Sequence, residues 1–309
     1  MKSKRHPLQR LRSSPTLFAV PAALFLLATA IYPLIELIRM SLSRVTVSNI
    51  LRTWPFVGLA EFKQLISSAQ FIEALINTLI YTAVVLIVGI AGGLLAALVL
   101  SSTPRSRGSG RLEVRFSRFV FGMMVFIWML PPVVAGSLWK FLLDKEGVVS
   151  YVLANLHVIA QPVPWLVQAQ NHTALLAVAV VNAWVVVPFA ALVFRAAILD
   201  IPPDPIDAAQ IDGATRLQVF RHITLPMLRS TFLILVVLTI VYAFRSFDFI
   251  YVMTSGGPGT ATTTLPYLSY RLSFENYKFG LGAATAVISI VMVLATALLY
   301  IRANREEVG

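Results

Sequence analysis

The chain contains no cysteine. Disulfide staples, thiolate metal ligands and cysteine nucleophiles are therefore excluded. Charge is also scarce: Asp, Glu, Lys and Arg make up 13% of 309 residues, about half the share usual in a water-soluble domain. The four histidines, His6, His157, His172 and His222, are scattered. None stands at metal-ligand spacing from another His or a carboxylate on one helical face, so no metal site is expected. There is no repeat of 20–50 residues and no low-complexity segment. A phosphate-binding loop needs Lys followed by Ser or Thr after a Gly-rich turn. The only such pair is Lys2-Ser3, with no loop before it. No paired carboxylates and no nucleophile elbow mark a catalytic constellation, so no catalytic residue is expected.

Apolar residues are abundant instead, 58% of the chain, with a mean hydropathy of +0.80. They gather in runs of roughly 20 residues, each long enough to cross a hydrocarbon core about 30 Å thick. A backbone in that environment must satisfy its own polar groups, so the runs are helices. Six spans are expected, near 16–40, 71–101, 118–142, 173–198, 228–253 and 280–302. The fold class is all-α, a polytopic integral membrane protein. The first span has a rival reading as a signal peptide, because Lys2, Lys4, Arg5, Arg10 and Arg12 precede an apolar run with Ala28-Thr29-Ala30. The apolar character continues to Ile38, longer than a signal sequence needs, and an uncleaved helix is expected.

Basic residues set the orientation. With the N-terminus inside, the inner segments carry the five N-terminal basic residues; Arg105, Arg107, Arg111, Arg115 and Arg118; Arg195, Arg216, Arg221 and Arg229; and Arg302 and Arg305. These are most of the 25 Lys and Arg. Both termini are thus expected in the cytoplasm. A net charge of +11 also fits nucleic-acid binding, but its spread over several short loops is the positive-inside pattern, and no nucleic acid is expected.

An ion-driven carrier places ionisable groups inside its spans. The candidates are Glu36, Arg39, Arg245 and Asp248. Glu36 and Arg39 fall near the outer end of the first span, where long side chains reach the interface. Arg245 and Asp248, three apart, are expected as neighbours on one helical face. Ser255-Gly256-Gly257-Pro258-Gly259 is expected to be an external turn.

Between the fourth and fifth spans lies a polar island, DPIDAAQIDGATRLQVFRHITLP, from Asp204 to Pro226. Pro202 and Pro203 end the preceding helix. Asp204 is the expected N-cap, Pro205 suits the first helical position, and Asp207 stands where a capping-box acceptor would. Ala208 and Ala209 let another surface approach closely. Asp212-Gly213 is a turn signal, with Gly free to take positive φ. Leu217, Phe220 and Ile223 then recur at helical spacing.

This island resembles the signature loop of binding-protein-dependent ABC importer permeases: Glu-Ala-Ala, two residues, Asp-Gly-Ala, five residues, Phe, two residues, Ile, one residue, Leu-Pro. Here it reads Asp207-Ala208-Ala209, Asp212-Gly213-Ala214, Phe220, Ile223 and Leu225-Pro226. The spacing is intact; the departure is Asp207 where Glu is usual. Phe249 to Thr254 followed by Ser255 to Gly259 is similar to the segment after the fifth helix in carbohydrate-uptake permeases of the maltose and glycerol-3-phosphate type. Asn77-Thr78-Leu79, and Leu130-Pro131-Pro132 with Trp139, fit the same group.

The resemblance implies six helices with a cytoplasmic coupling helix between the fourth and fifth. It implies a basic tail over 1–15, a transmembrane domain over 16–303 with its coupling loop at 204–226, and a C-terminal tail over 304–309. It implies a permease in a bacterial inner membrane, importing a sugar or sugar derivative by alternating access. The partners implied are a second permease, two cytoplasmic ATPases that hold ATP and Mg, and an extracytoplasmic solute-binding protein; no cofactor is expected on this chain itself. Asn182 and Trp184 near the middle of span four, with Tyr242, Arg245 and Asp248 on span five, are the candidate solute contacts, each with helix–helix packing as its alternative. A secondary carrier for a polar solute, and an ABC importer permease for a non-carbohydrate solute, stay open as alternatives. The carrier reading could use Pro131-Pro132 and Pro188 as helix breaks.

Overall fold

The computed structural model describes residues 15–101 and 111–305. Most of the two predicted tails, with Arg105 and Arg107, lies outside the described residues. Within them there is no β-strand; one isolated bridge joins Ser43 and Phe56.

The helices run α1 (Pro15–Leu26), α2 (Tyr32–Ser41), α3 (Ala60–Ile66), α4 (Ala69–Ser101), α5 (Arg111–Met129), α6 (Pro132–Leu142) and α7 (Val148–Asn155). They continue as α8 (Thr173–Asp200), α9 (Pro203–Ile211), α10 (Arg216–Val219), α11 (Leu225–Met227), α12 (Arg229–Phe244), α13 (Asp248–Met253), α14 (Leu265–Tyr270) and α15 (Phe279–Arg305). Short π turns at Leu27–Ile31, Phe220–Thr224 and Arg271–Glu275 interrupt the α geometry. Four helical stretches are long and apolar enough to cross a membrane, and two bent pairs raise the number to six. The protein is an all-helical, multi-pass membrane protein.

The chain divides into two compact units. One comprises residues up to Ser67 and Ser269–Val287. Its membrane helix, α1 with α2, is exposed along its whole length from Val20 to Ile35, as suits a helix whose solvent is lipid or another subunit. The segment after it is tied down locally. Asn49 accepts from the Thr46 N–H at 2.8 Å and donates to the Arg44 carbonyl at 2.8 Å. Gly280 lets the start of α15 meet the Ser43 and Val45 backbone, where a Cβ would come within 2.6 Å of the Ser43 oxygen. Glu36 and Arg39 pair with each other, and the Arg39 guanidinium lies 5.7 Å from the Trp54 ring. An ion pair beside an aromatic ring adds to the expected reach of these long side chains.

The larger unit spans Ser68–Leu268 and the chain from Ile288 on. Its most extensive pairing is α4 on α8. Glycines make that pairing close: a Cβ on Gly89 would lie 2.8 Å from Val186 Cγ1, and one on Gly93 would lie 2.4 Å from the Ala190 Cβ. Such small-residue contacts bring helix backbones together where lipid gives little hydrophobic drive. Ile90, Ala97, Ala190, Phe194, Ile201, Leu228 and Leu235 form a buried cluster joining α4, α8 and α12.

Two expected spans differ in form. The third is broken: α5 and α6 meet at 103°. Pro131 lacks an N–H, and the residue before a proline is driven out of the helical region; Pro131, followed by Pro132, sits at φ −57°, ψ 136°. Pro188, the other proline considered as a break, stays inside a continuous α8. The fifth bends 65° at Leu228 and stops at Phe244, so α13 is a separate helix. Arg245 and Asp248 therefore do not share a helical face as the sequence predicts. Both are exposed, and they form no ion pair with each other.

Candidate functional site

The polar island folds as two short helices around a tight turn. α9 begins two residues earlier than expected: Pro202 is the N-cap and Pro203 the first helical residue. Asp204 is thus in the first turn rather than at the cap. Its carboxylate there still meets the positive end of the helix dipole. At the other end the Gly213 N–H donates to the Gln210 carbonyl at 3.1 Å and the Ala214 N–H to the Ala209 carbonyl at 2.9 Å. Gly213 lies at φ +82°. That pair of bonds with a left-handed glycine is a Schellman stop, so the Asp212-Gly213 signal is met in full.

The capping box stands one helix later than expected. Thr215 Oγ1 accepts from the Gln218 N–H at 3.4 Å, and Gln218 Oε1 accepts from the Thr215 N–H at 2.7 Å. The Asp204–Asp207 pair makes no such box, because α9 starts before Asp204. The Thr-x-x-Gln pattern at 215–218 is its signal in the sequence.

The two helices enclose a shallow depression of about 340 Å³ lined by Ala209, Asp212, Gly213, Ala214, Gln218, Val219, His222 and Ile223. Asp207 and Ala208 are exposed beside it, Phe220 and Ile223 are half-buried, and Leu225 and Pro226 are exposed at the start of the return helix. Ile211 and Leu217 project at the tip, 85% and 73% exposed. Exposed apolar side chains this large on a polar loop are candidates for contact with another protein. Neither was singled out beforehand as a contact; the exposed faces of two helices meeting at one tip are visible only in three dimensions. The element is rooted in the membrane unit, since Ile206 of α9 packs on the cluster containing Ile201 and Leu228.

A second feature lies among the spans. A cavity of about 410 Å³ is lined by Trp128, Leu130, Pro132, Val185, Val186, Phe189, Leu238, Thr239 and Tyr242. The α5–α6 break forms one wall. Trp128 stacks on Phe189 with ring centroids 5.6 Å apart. Counting 1.5 Å per residue puts the lining about 14–23 Å from Asp200 and Arg229, the ends of α8 and α12 that flank the polar island.

Of the five sequence-predicted solute contacts, Tyr242 reaches this cavity. Trp184 is half-buried in an edge-to-face contact with Trp139 at 5.4 Å. Asn182 is wholly buried. Its Nδ2 donates to Tyr81 Oη at 2.7 Å and to Ser246 Oγ at 3.2 Å, and those two oxygens lie 3.0 Å apart. That cluster holds the residues between α12 and α13, and it accounts for a helix ending with neither Pro nor Gly nearby. Arg245 and Asp248 flank the same break, exposed. Trp128, Phe189, Leu238 and Thr239 were not anticipated. The signal available was Trp128 two residues before Leu130-Pro131-Pro132, where a helix break would open a wall.

The description of inner membrane components of binding-protein-dependent transport systems matches residues 106–305. The chain belongs to that family. The permease is 33% identical to a probable ABC transporter permease of Sinorhizobium fredii, over 93% of this chain and 89% of that protein. It is 30% identical to the trehalose/maltose transport system permease MalF of Thermococcus litoralis, over 81% of this chain and 80% of the other. Its fold is similar to a chain of a bacterial ABC transporter that imports the acidic polysaccharide alginate, with TM-score 0.79, 25% identity and coverage of 97% and 98%. The permease is the membrane-spanning transport subunit of an ABC importer rather than an enzyme, and it works within a larger assembly.

Proposed function

We propose that this permease moves a neutral sugar or oligosaccharide inward by alternating access, driven by ATPases seated on the 203–227 element. The observation that carries the reading is the folded two-helix tip itself: a rigid cap, a Schellman stop and two exposed apolar residues, fastened by Ile206 to helices that line the cavity. Closure of ATPase subunits against Ile211 and Leu217 would move α9 as a unit, and the displacement passes into α8 and α12.

The solute class follows from the cavity's chemistry. Its lining carries no charged side chain, presents stacked aromatic faces and offers the hydroxyls of Thr239 and Tyr242. Aromatic faces with a few oriented polar groups suit the alternating apolar and hydroxylated faces of a sugar. Trehalose and maltose, the solutes in the name of one relative, are neutral, whereas alginate, imported by the transporter of similar fold, is an acidic polymer; an uncharged cavity favours the neutral kind. The further partners are a companion permease, two cytoplasmic ATPases that supply the ATP and Mg chemistry, and an extracytoplasmic solute-binding protein. Both termini and the loop face the cytoplasm of a bacterial cell, in keeping with the basic residues of the inner segments.

Thermal-shift screening of the paired solute-binding protein against neutral and uronic-acid oligosaccharides tests the solute class, followed by uptake of the hit into vesicles holding the full assembly. A neutral sugar that stabilises the binding protein and accumulates with ATP is the expected result. Selective stabilisation by uronic acids or amino acids would overturn the neutral-sugar reading.

A further inference from the structure

Two sequence motifs that the transport reading leaves unused meet in the structure. Asn77 and Thr78 lie on the buried face of α4, and the Gly-rich segment after α13 arrives against them. Asn77 Nδ2 donates to the carbonyls of Thr260 and Thr263 at 3.2 and 3.1 Å. Thr78 Oγ1 accepts from the Leu265 N–H at 2.8 Å. One turn earlier Glu73 Oε2 accepts from Thr260 Oγ1 at 2.6 Å. Asn77, Thr78, Thr262, Thr263 and Thr264 are all buried, deep enough that each bond is costly to lose.

The segment is also stiff within itself. Thr262 Oγ1 donates to the Gly257 carbonyl at 2.8 Å and lies 2.7 Å from Thr254 Oγ1. Thr263 Oγ1 donates to the Gly256 carbonyl at 3.1 Å. Gly256, at φ +77°, faces the Tyr267 ring where a Cβ would approach to 2.4 Å. The Gly-rich stretch that reads as a turn is a hydrogen-bonded loop with three side-chain anchors on one helix.

We propose that Glu73, Asn77 and Thr78 are positioning residues that fasten loop 254–264 to α4, so that loop and helix move as one body through the transport cycle. The proposal rests on the importer reading, which puts this loop on the outer face, where a solute-binding protein arrives. It assigns the loop a role in transmission. α4 is pressed on α8 through Gly89 and Gly93, and α8 passes into α9 through Ile201 and Pro202 alone. A push on the outer loop therefore reaches the cytoplasmic element without crossing a loose joint.

The absence of native cysteine makes the test clean. Asn77→Cys with Thr263→Cys supplies the only thiols in the permease, within a full assembly whose other subunits are cysteine-free. The reduced pair has lost the anchor and transports several-fold more slowly; joining the two as a disulfide with a mild copper–phenanthroline oxidant restores transport toward the native rate. Crosslinking that leaves the rate unchanged or lowers it further overturns the proposal. A second variant, Asn77→Asp, keeps the volume but as a carboxylate cannot donate to the loop carbonyls, and as a neutral acid has one donor for two carbonyls. It is expected to raise several-fold the concentration of loaded binding protein that half-saturates ATPase stimulation, with normal abundance in the membrane. Native half-saturation in Asn77→Asp also overturns the proposal. The native assembly is the control: its failure to import would count against the importer reading, whereas failure confined to the rescue counts against the anchor.

Discussion

Gly213 shows how one residue can carry a whole turn. Its φ of +82° is open to glycine and costs other residues about 1–2 kcal/mol. In the isolated chain a Cβ at Gly213 would meet nothing within 4 Å, so the local penalty is strain alone. Gly213→Glu is expected to insert normally, because no span changes. The bulky charge then sits in the 340 Å³ depression that the proposed ATPase covers, and transport should fail. Normal membrane abundance with uptake near background is the expected pair of readings; native uptake would remove 203–227 from the coupling role. Tyr242 poses a different question. Tyr242→Ala removes an aromatic face and a hydroxyl from the cavity and should lower uptake at least tenfold, while Tyr242→Phe keeps the face and should fall only a few-fold, in line with about 1 kcal/mol for one hydrogen bond. Equal losses in the two would separate Tyr242 from the solute. Gly213 was readable from an Asp-Gly pair. Asn182 was not: polar residues at mid-span are ambiguous until their neighbours are known, and here Tyr81 and Ser246 claim the amide.

Helix ends follow the same division. The Gly213 stop rests on local backbone chemistry, and the pattern announced it. The α5–α6 break rests on Pro131-Pro132, noted beforehand as a possible break, yet its 103° turn converts an expected straight span into a cavity wall. The end of α12 at Phe244 has no local cause and depends on the buried cluster around Ser246. The α9–α11 element yields a prediction of its own. Ile211 and Leu217 are the exposed apolar tip, and burying a side chain of that size is worth about 1.5–3 kcal/mol. Ile211→Glu is expected to weaken attachment of the ATPase subunits at least tenfold, measured by co-purification or by titration in detergent, without changing the permease's own thermal stability. Unchanged attachment would place the ATPase seat elsewhere on the inner face.

For the whole molecule, topology is the decisive property. Most basic residues fall on the inner side only if both termini face the cytoplasm. Reporter fusions after Gly110 and Ala214 should read cytoplasmic, and one after Gly257 external. An external reading at Ala214 would remove the coupling argument together with the topology. The sequence also offers no phosphate-binding loop, so the purified chain should hydrolyse no ATP, and uphill uptake should require the ATPases, the companion permease and the binding protein. Accumulation by this chain alone in a proton gradient would favour a secondary carrier.

The sequence by itself determined the solvent, the helical class, the number of spans within two, and the turn at Gly213. Each follows from short-range rules: an apolar run of sufficient length must be a helix in lipid, and an Asp-Gly pair after a short helix stops it. Tertiary structure alone decided which residues face the cavity, where α12 ends, and that Asn77 meets a loop nearly two hundred residues later. Those outcomes depend on which buried polar group finds a partner. In an interior with little water that partner is set by the packing of distant helices, which the local sequence around Asn77, Tyr81 or Asn182 does not encode.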